Sequence, residues 1–374
     1  MNPQQPTIFM NEPAFMKSVD DLMNQGLAGE VFPGAVLLVS CKSEIRFFRA
    51  YGYADLFSKK EMMIDTFFDL ASLTKPLGTT LAVLWLVQNS KLDFNLCVSE
   101  ILPGFSTGDK KEITIRQLLA HCSGFADYRP YFIRLGKIAP AKRKEQLRTF
   151  LLNEKPAYPP GTDSLYSDLG FMVLEWVIEV ISRKPLDRLL GDEIFPRIRG
   201  KGDEPCRFFF NKTGTYDPQA CCAATELCPW RNKLLIGEVH DENAYAAGGV
   251  AGQAGLFGRA QDVNAAAELL VSDFYGISRQ AVFEREILRE CFKGGESGER
   301  GLGFDTPSPM NSSCGRYFSK SSVGHLGFTG TSFWIDLEKQ VIVTLLTNRI
   351  HPWRGNIRIR EFRPKIHDTV METI

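Results

Sequence analysis

The chain has no excess charge of either sign: 44 lysines and arginines stand against 44 aspartates and glutamates in 374 residues. Zero net charge gives no long-range attraction to a phosphate backbone or an anionic lipid surface, so either would need a local basic patch. The densest basic stretches, residues 142–144 and 354–365, read as solvated faces, and neither a nucleic-acid nor a membrane partner is expected. Long apolar runs are lacking too. Residues 35–39 and 81–87 are the longest, far short of the roughly 18 residues that a spanning helix needs. Residues 1–13 are polar, with no basic flank leading into an apolar core, so a secretory signal is not expected and a cytoplasmic location is the default. No C-x-x-C pair occurs among the nine cysteines, and their odd number and scattered spacing favour reduced, mostly buried thiols. Cys206, Cys221, Cys222 and Cys228 with His240 therefore make a poor zinc pattern, and no metal is expected. Gly249, Gly252 and Gly255 are spaced G-x-x-G-x-x-G, which is not the dinucleotide fingerprint, so no cofactor is expected either. Internal repeats and low-complexity tracts are absent.

What is present is a composition of 44% hydrophobic and 24% charged residues, enough for one large core or two ordinary ones. Residues 35–41 and 45–51 are apolar runs around Lys42-Ser43-Glu44 and read as a β-hairpin; residues 332–336 and 341–347 repeat the pattern around Leu337-Glu338-Lys339. Strands at both ends suggest one antiparallel sheet that unites the two ends of the chain. Between them, residues 79–88, 116–121, 142–152 and 169–181 carry 3.6-residue apolar spacing. Thr114-Ile115-Arg116-Gln117 has the form of a capping box. The expected architecture is α/β of the α+β type: a sheet-based domain from residues 1–75 and 245–374 and a mostly helical domain over 76–244. Loops 128–138 and 207–230 would shape the pocket.

Ser72-Leu73-Thr74-Lys75-Pro76 runs straight into the apolar helix. Proline is tolerated where its missing amide is not required, which places Ser72 and Lys75 on the opening turn, with hydroxyl and amine on one face. A serine needs a neighbour to accept its proton, and a desolvated lysine of lowered pKa can do so. The exposed amides of that turn could stabilise an oxyanion. A four-residue motif arises by chance and needs partners. Tyr166-Ser167-Asp168 follows a Pro-Pro-Gly loop at the start of a helix, and His325-Leu326-Gly327-Phe328 leads into the C-terminal hairpin, where glycine permits close approach to a strand edge.

With these motifs in this order, the chain resembles the class C β-lactamase-like serine hydrolases, a family that also holds D-Ala-D-Ala carboxypeptidases, D-amino-acid peptidases and carboxylesterases. Its S-x-x-K, Y-x-N and K-T-G or H-x-G elements are similar to Ser72–Lys75, Tyr166–Asp168 and His325–Gly327 here. The resemblance spans roughly residues 12–350, with support from residues 118–125 and 248–257. It implies an active site at the junction of the two domains, with Ser72 as the acylated nucleophile, Lys75 and Tyr166 as the proton relay, and the amides of Ser72 and Phe328 as the oxyanion hole. A Lys75 ammonium would favour a phenolate-like Tyr166. Asp168, His325 and Gly327 would face substrate, and His121 would be structural. Two departures matter: Asp168 replaces an amide that both donates and accepts, and His325 replaces a permanent cation. Both point away from an efficient β-lactamase and towards the esterase or peptidase branches, and an esterase on small acyl esters is the expected activity. A D-amino-acid peptidase or weak β-lactamase is the nearest alternative, and a catalytically silent binding protein is the alternative of another class.

Overall fold

The described strands in chain order are Gly34–Cys41 (β1), Glu44–Asp55 (β2), Lys60–Glu61 (β3), Phe68–Asp69 (β4), Phe209–Phe210 (β5), Ala224–Cys228 (β6), Lys233–Ile236 (β7), Leu256–Gly258 (β8), Val323–Leu326 (β9), Ser332–Asp336 (β10) and Val341–Thr347 (β11). They belong to a computed structural model that describes residues 12–106, 108–212, 221–278, 280–293 and 300–374. Residues 1–11 of the polar leader and 213–220 of the second pocket loop lie outside the described residues.

Both hairpins form where the apolar runs place them. Cys41 pairs with Glu44, leaving Lys42 and Ser43 as a two-residue turn, with φ of 50° and 62°. Positive φ at both positions gives the twist that suits a tight hairpin. In the second, Asp336 Oδ1 accepts from the amides of Glu338 and Lys339, both at 2.9 Å, and closes the turn. β1 then pairs antiparallel with β11, from Ala35 opposite Thr347 to Cys41 opposite Val341. The six-stranded order is β3-β2-β1-β11-β10-β9, so the two ends of the chain lie side by side at its centre.

The central strands read as unbroken apolar runs because both faces are covered. Val36, Leu38, Ile342 and Leu346 face a core shared with the helices between the hairpins. Ala35, Leu37, Val39, Val343 and Leu345 face a second core, built with Val19 and Met23 of the helix Glu12–Ala28 and Phe362, Ile366 and Val370 of the helix Ile359–Thr373. The two-residue period of a strand thus divides one sequence between two cores.

Among the helices, Ile115–Leu119 starts at the expected box: Gln117 donates its amide to Thr114 Oγ1 at 3.2 Å and accepts from the Thr114 amide at 3.0 Å. Asp168–Ser182 buries nine residues, and Ser167 caps it, its Oγ accepting from Gly170 N at 3.2 Å. Because Ser167 takes the cap, Asp168 is released to face the cleft. A small sheet of order β4-β8-β5 was not expected from the sequence; it fixes the segment that leads to Ser72. No described helix is long and apolar enough to cross a membrane.

Candidate active site

Ser72 sits in a tight turn, Ala71–Leu73, that opens into a wide helical turn, Lys75–Thr80, and then the α-helix Leu81–Gln88. The sequence pattern predicts a regular helix opening here. Pro76 has no amide to give to an i−4 carbonyl, and the chain takes the wider spacing instead. Ala71 holds φ at 48°, a left-handed conformation that costs a non-glycine residue about 1–2 kcal/mol. The neighbours over-determine it. Asp69 is buried; its Oδ1 accepts from Ala71 N at 2.8 Å and its Oδ2 from His240 N at 2.6 Å. Burial pushes the Asp69 carboxyl up while those amides oppose the shift. Thr329 Oγ1 donates to the Asp69 carbonyl at 2.8 Å and Thr331 Oγ1 to that of Leu70 at 3.1 Å. A Cβ at Gly327 would stand 2.0 Å from Thr331 Oγ1 and 2.7 Å from the Leu70 carbonyl. The glycine therefore serves the approach of two chain segments, and it locks the H-x-G loop to the backbone just before Ser72.

Lys75 is fully buried, whereas Ser72 is partly open. Its Nζ donates to Ser72 Oγ at 3.2 Å, to Asp168 Oδ1 at 2.7 Å and to the Gln253 carbonyl at 3.2 Å. All three ammonium hydrogens thus have acceptors. Burial works against the charge, but the Asp168 carboxylate, followed by the Tyr166 oxygen, outweighs it and holds Lys75 above the ordinary lysine range. This corrects the expected lowered pKa: a desolvated lysine loses its proton only when no carboxylate meets it. Tyr166 interacts with both Lys75 and Ser72, and Lys75 Nζ lies 4.7 Å from its ring centre. Burial pushes the phenol up, and the lowering by Lys75 does not cancel it, so Tyr166 rests as a phenol and not as the expected phenolate.

Two histidines flank Tyr166, with ring centres 4.6 Å away for His121 and 5.9 Å for His325. Burial, with Arg300 and Lys75 nearby, drives His121 well below its usual value; its Nδ1 accepts from Ser167 N at 2.9 Å. His325, on β9, is pulled down to about 4, first by burial, against the opposing pull of Asp305. Neither ring carries charge at neutral pH. The amide of Phe328, in the loop after β9, bonds to no other backbone group among the described residues. A cavity of about 1450 Å³ bordered by Arg289, Phe292 and Arg316 contains none of these side chains.

The β-lactamase family model matches residues 19–363 of the chain. The chain belongs to the β-lactamase family. Within that family it is 31% identical to the N-acetylmuramyl-L-alanine amidase of Bacillus subtilis (strain 168) over 369 residues, covering 90% of this chain and 81% of the relative. It is also 31% identical to a Salmonella typhi protein provisionally described as a D-alanyl-D-alanine carboxypeptidase, covering 90% and 83%. Its fold is similar to that of EstCE1, a hydrolase with promiscuous acyltransferase activity (TM-score 0.74, 22% identity, 96% and 99% of the chains). The β-lactamase/D-alanine carboxypeptidase of Pseudomonas syringae is similar at TM-score 0.73 and 16% identity, over 96% and 99%. The chain is thus a hydrolase of the β-lactamase fold, with amidase, carboxypeptidase and esterase neighbours.

On this β-lactamase-family scaffold, Ser72, Lys75, Tyr166 and Asp168 converge directly, while His325 stands behind Tyr166. Three residues escaped the sequence reading. Asp69 braces the Ser72 turn, and Gln253 gives Lys75 its third acceptor. Arg300 lies 5.2 Å above the Tyr166 ring and pairs with Asp305, whose backbone bonds Gly324 of β9 at 2.8 and 3.0 Å. The run of residues 248–257 was the one signal that could have pointed to Gln253.

Proposed function

We propose that the protein is a cofactor-free serine hydrolase that forms an acyl-enzyme at Ser72 and acts on small acyl esters. The observation that carries this reading is the unbroken contact from Ser72 Oγ through Lys75 Nζ to Asp168 Oδ1, at 3.2 and 2.7 Å. Because Lys75 rests protonated, it passes one proton to Asp168 as it takes the one from Ser72. The new Oγ–C bond places negative charge on the former carbonyl oxygen, which the amides of Ser72 and Phe328 would receive. As the C–O bond to the leaving group breaks, Tyr166 gives its phenolic proton to the leaving oxygen. Tyr166 regains a proton from Lys75, and Lys75 from Asp168. The net transfer is one proton from Ser72 to the leaving group. Water then attacks the acyl carbon, and the same relay returns a proton to Ser72.

Esters suit this site because an alkoxide departs with less help than an amine. Asp168 also offers no amide hydrogens to an acylamido side chain, being held to Lys75 as an acceptor. A second reading, hydrolysis of an amide or peptide bond, is favoured by the names of the two relatives at 31% identity. Turnover of p-nitrophenyl butyrate, a D-alanine amide and nitrocefin separates them. The expected order of kcat/KM is ester, then amide, then nitrocefin; an amide preferred to every ester would establish the second reading. A folded protein that turns over none and whose Ser72 takes no fluorophosphonate would be a binding protein instead.

A further inference from the structure

Asp241 is a carboxyl that the relay above does not use. It caps the short helix Glu242–Ala246, its Oδ1 accepting from Ala244 N at 2.6 Å and from Gln253 Nε2 at 3.2 Å. Gln253 is itself buried, and its carbonyl takes the third hydrogen of Lys75 at 3.2 Å. Asp241 and Lys75 are thus joined through one residue. Resting on the proposed relay, we propose that Asp241 is a positioning residue: it anchors Gln253 beneath Lys75, and its negative charge beside Asp168 drives the proton from Lys75 onto Asp168.

The charges around it bear this out. From the helix Asp168–Ser182, Asp168 faces Asp241; from its own helix, Glu242 does so, partly neutralised by Arg354. Tyr128, on the opposite loop, feels Asp241, Glu242 and Asp168 together. That loop is pinned to the same helix, since Asn243 accepts from Phe132 N at 2.8 Å and donates to the Arg129 carbonyl at 2.9 Å. Burial, then repulsion from Asp168, pushes the Asp241 carboxyl up to about 6, while the Ala244 amide opposes this.

Asp241→Asn tests the role of the charge, because asparagine caps a helix as well as aspartate and its side-chain oxygen can still accept from Ala244. The parent is expected to lose kcat on p-nitrophenyl butyrate as pH falls through about 6. In Asp241→Asn that limb should disappear, leaving kcat at pH 8 close to the parent's low value below pH 6, with an unchanged KM. Asp241→Ser, also a good cap, carries the same expectation if the first variant is unstable. An identical limb in parent and variant, or no limb near pH 6 in the parent, would overturn the assignment. Fluorophosphonate labelling of Ser72 in each protein keeps this result separate from the hydrolase reading: labelling with an unmoved limb rejects Asp241 alone, whereas no labelling of the folded parent rejects the relay.

Discussion

Ser72→Ala is expected to lower kcat on p-nitrophenyl butyrate by on the order of 10⁵-fold or more, the scale seen when the nucleophile of an acyl-enzyme mechanism is removed. The fold should barely notice. The Ser72 hydroxyl accepts from Lys75 at 3.2 Å and also meets Tyr166, and Lys75 keeps its two other acceptors, so the stability change should stay within about 1.5 kcal/mol. Parent-like turnover in a variant with a parent-like melting curve would remove Ser72 from the chemistry. The two readouts must be taken together, because the Ala71 turn next to it is strained, and a collapsed turn would also abolish activity.

Lys75→Met carries the second largest effect. It should cut kcat/KM by about 10³–10⁴-fold, since the contact from Ser72 to Asp168 through the ammonium is broken. Lys75→Arg should not rescue it, because the side chain is fully buried and a planar guanidinium cannot occupy the place of a compact ammonium. Stability should fall as well. Removing one partner of a fully buried ion pair costs roughly 3–5 kcal/mol. Asp168 keeps 20% of its side chain exposed, so the loss should lie below that range. The pH dependence has a definite sign. The Lys75 pKa is raised on folding, so its ionisation stabilises the fold at every pH below the ordinary lysine value of 10.5, and the contribution is lost only as pH rises through the raised value. The stability gap between parent and Lys75→Met should therefore stay flat from about pH 6 to 9 and close only in strong alkali. A gap that closes near neutrality would mean that Lys75 is neutral in the resting site.

The parts of this protein that were legible in the sequence are those with a local pattern. β1 and β11 are apolar runs bounded by turn residues, and Thr114 to Gln117 spells its own cap. Ser72, Lys75, Tyr166 and Asp168 were legible because their motifs stand in a familiar order. What stayed hidden depends on long-range contact. The Gln253 carbonyl that takes the third hydrogen of Lys75 lies 178 residues away. Asp69 looks like an ordinary polar residue until His240, 171 residues on, presents its amide. β4 and β5 are two residues long, too short for any alternation to show. Gly327 is expected from the sequence to admit a ligand to the strand edge, whereas the groups packed against it are the chain's own Leu70 and Thr331.

The central claim is that Ser72 becomes acylated, and the most direct measurement is the mass of the trapped intermediate. The parent is mixed with a slowly released ester or a fluorophosphonate, quenched in acid, digested and sequenced by mass spectrometry. A single adduct on the peptide containing Ser72, absent from Ser72→Ala and formed far more slowly in Lys75→Met, is the predicted result. An adduct on any other residue, or ester turnover by a parent that never carries one, would contradict the account.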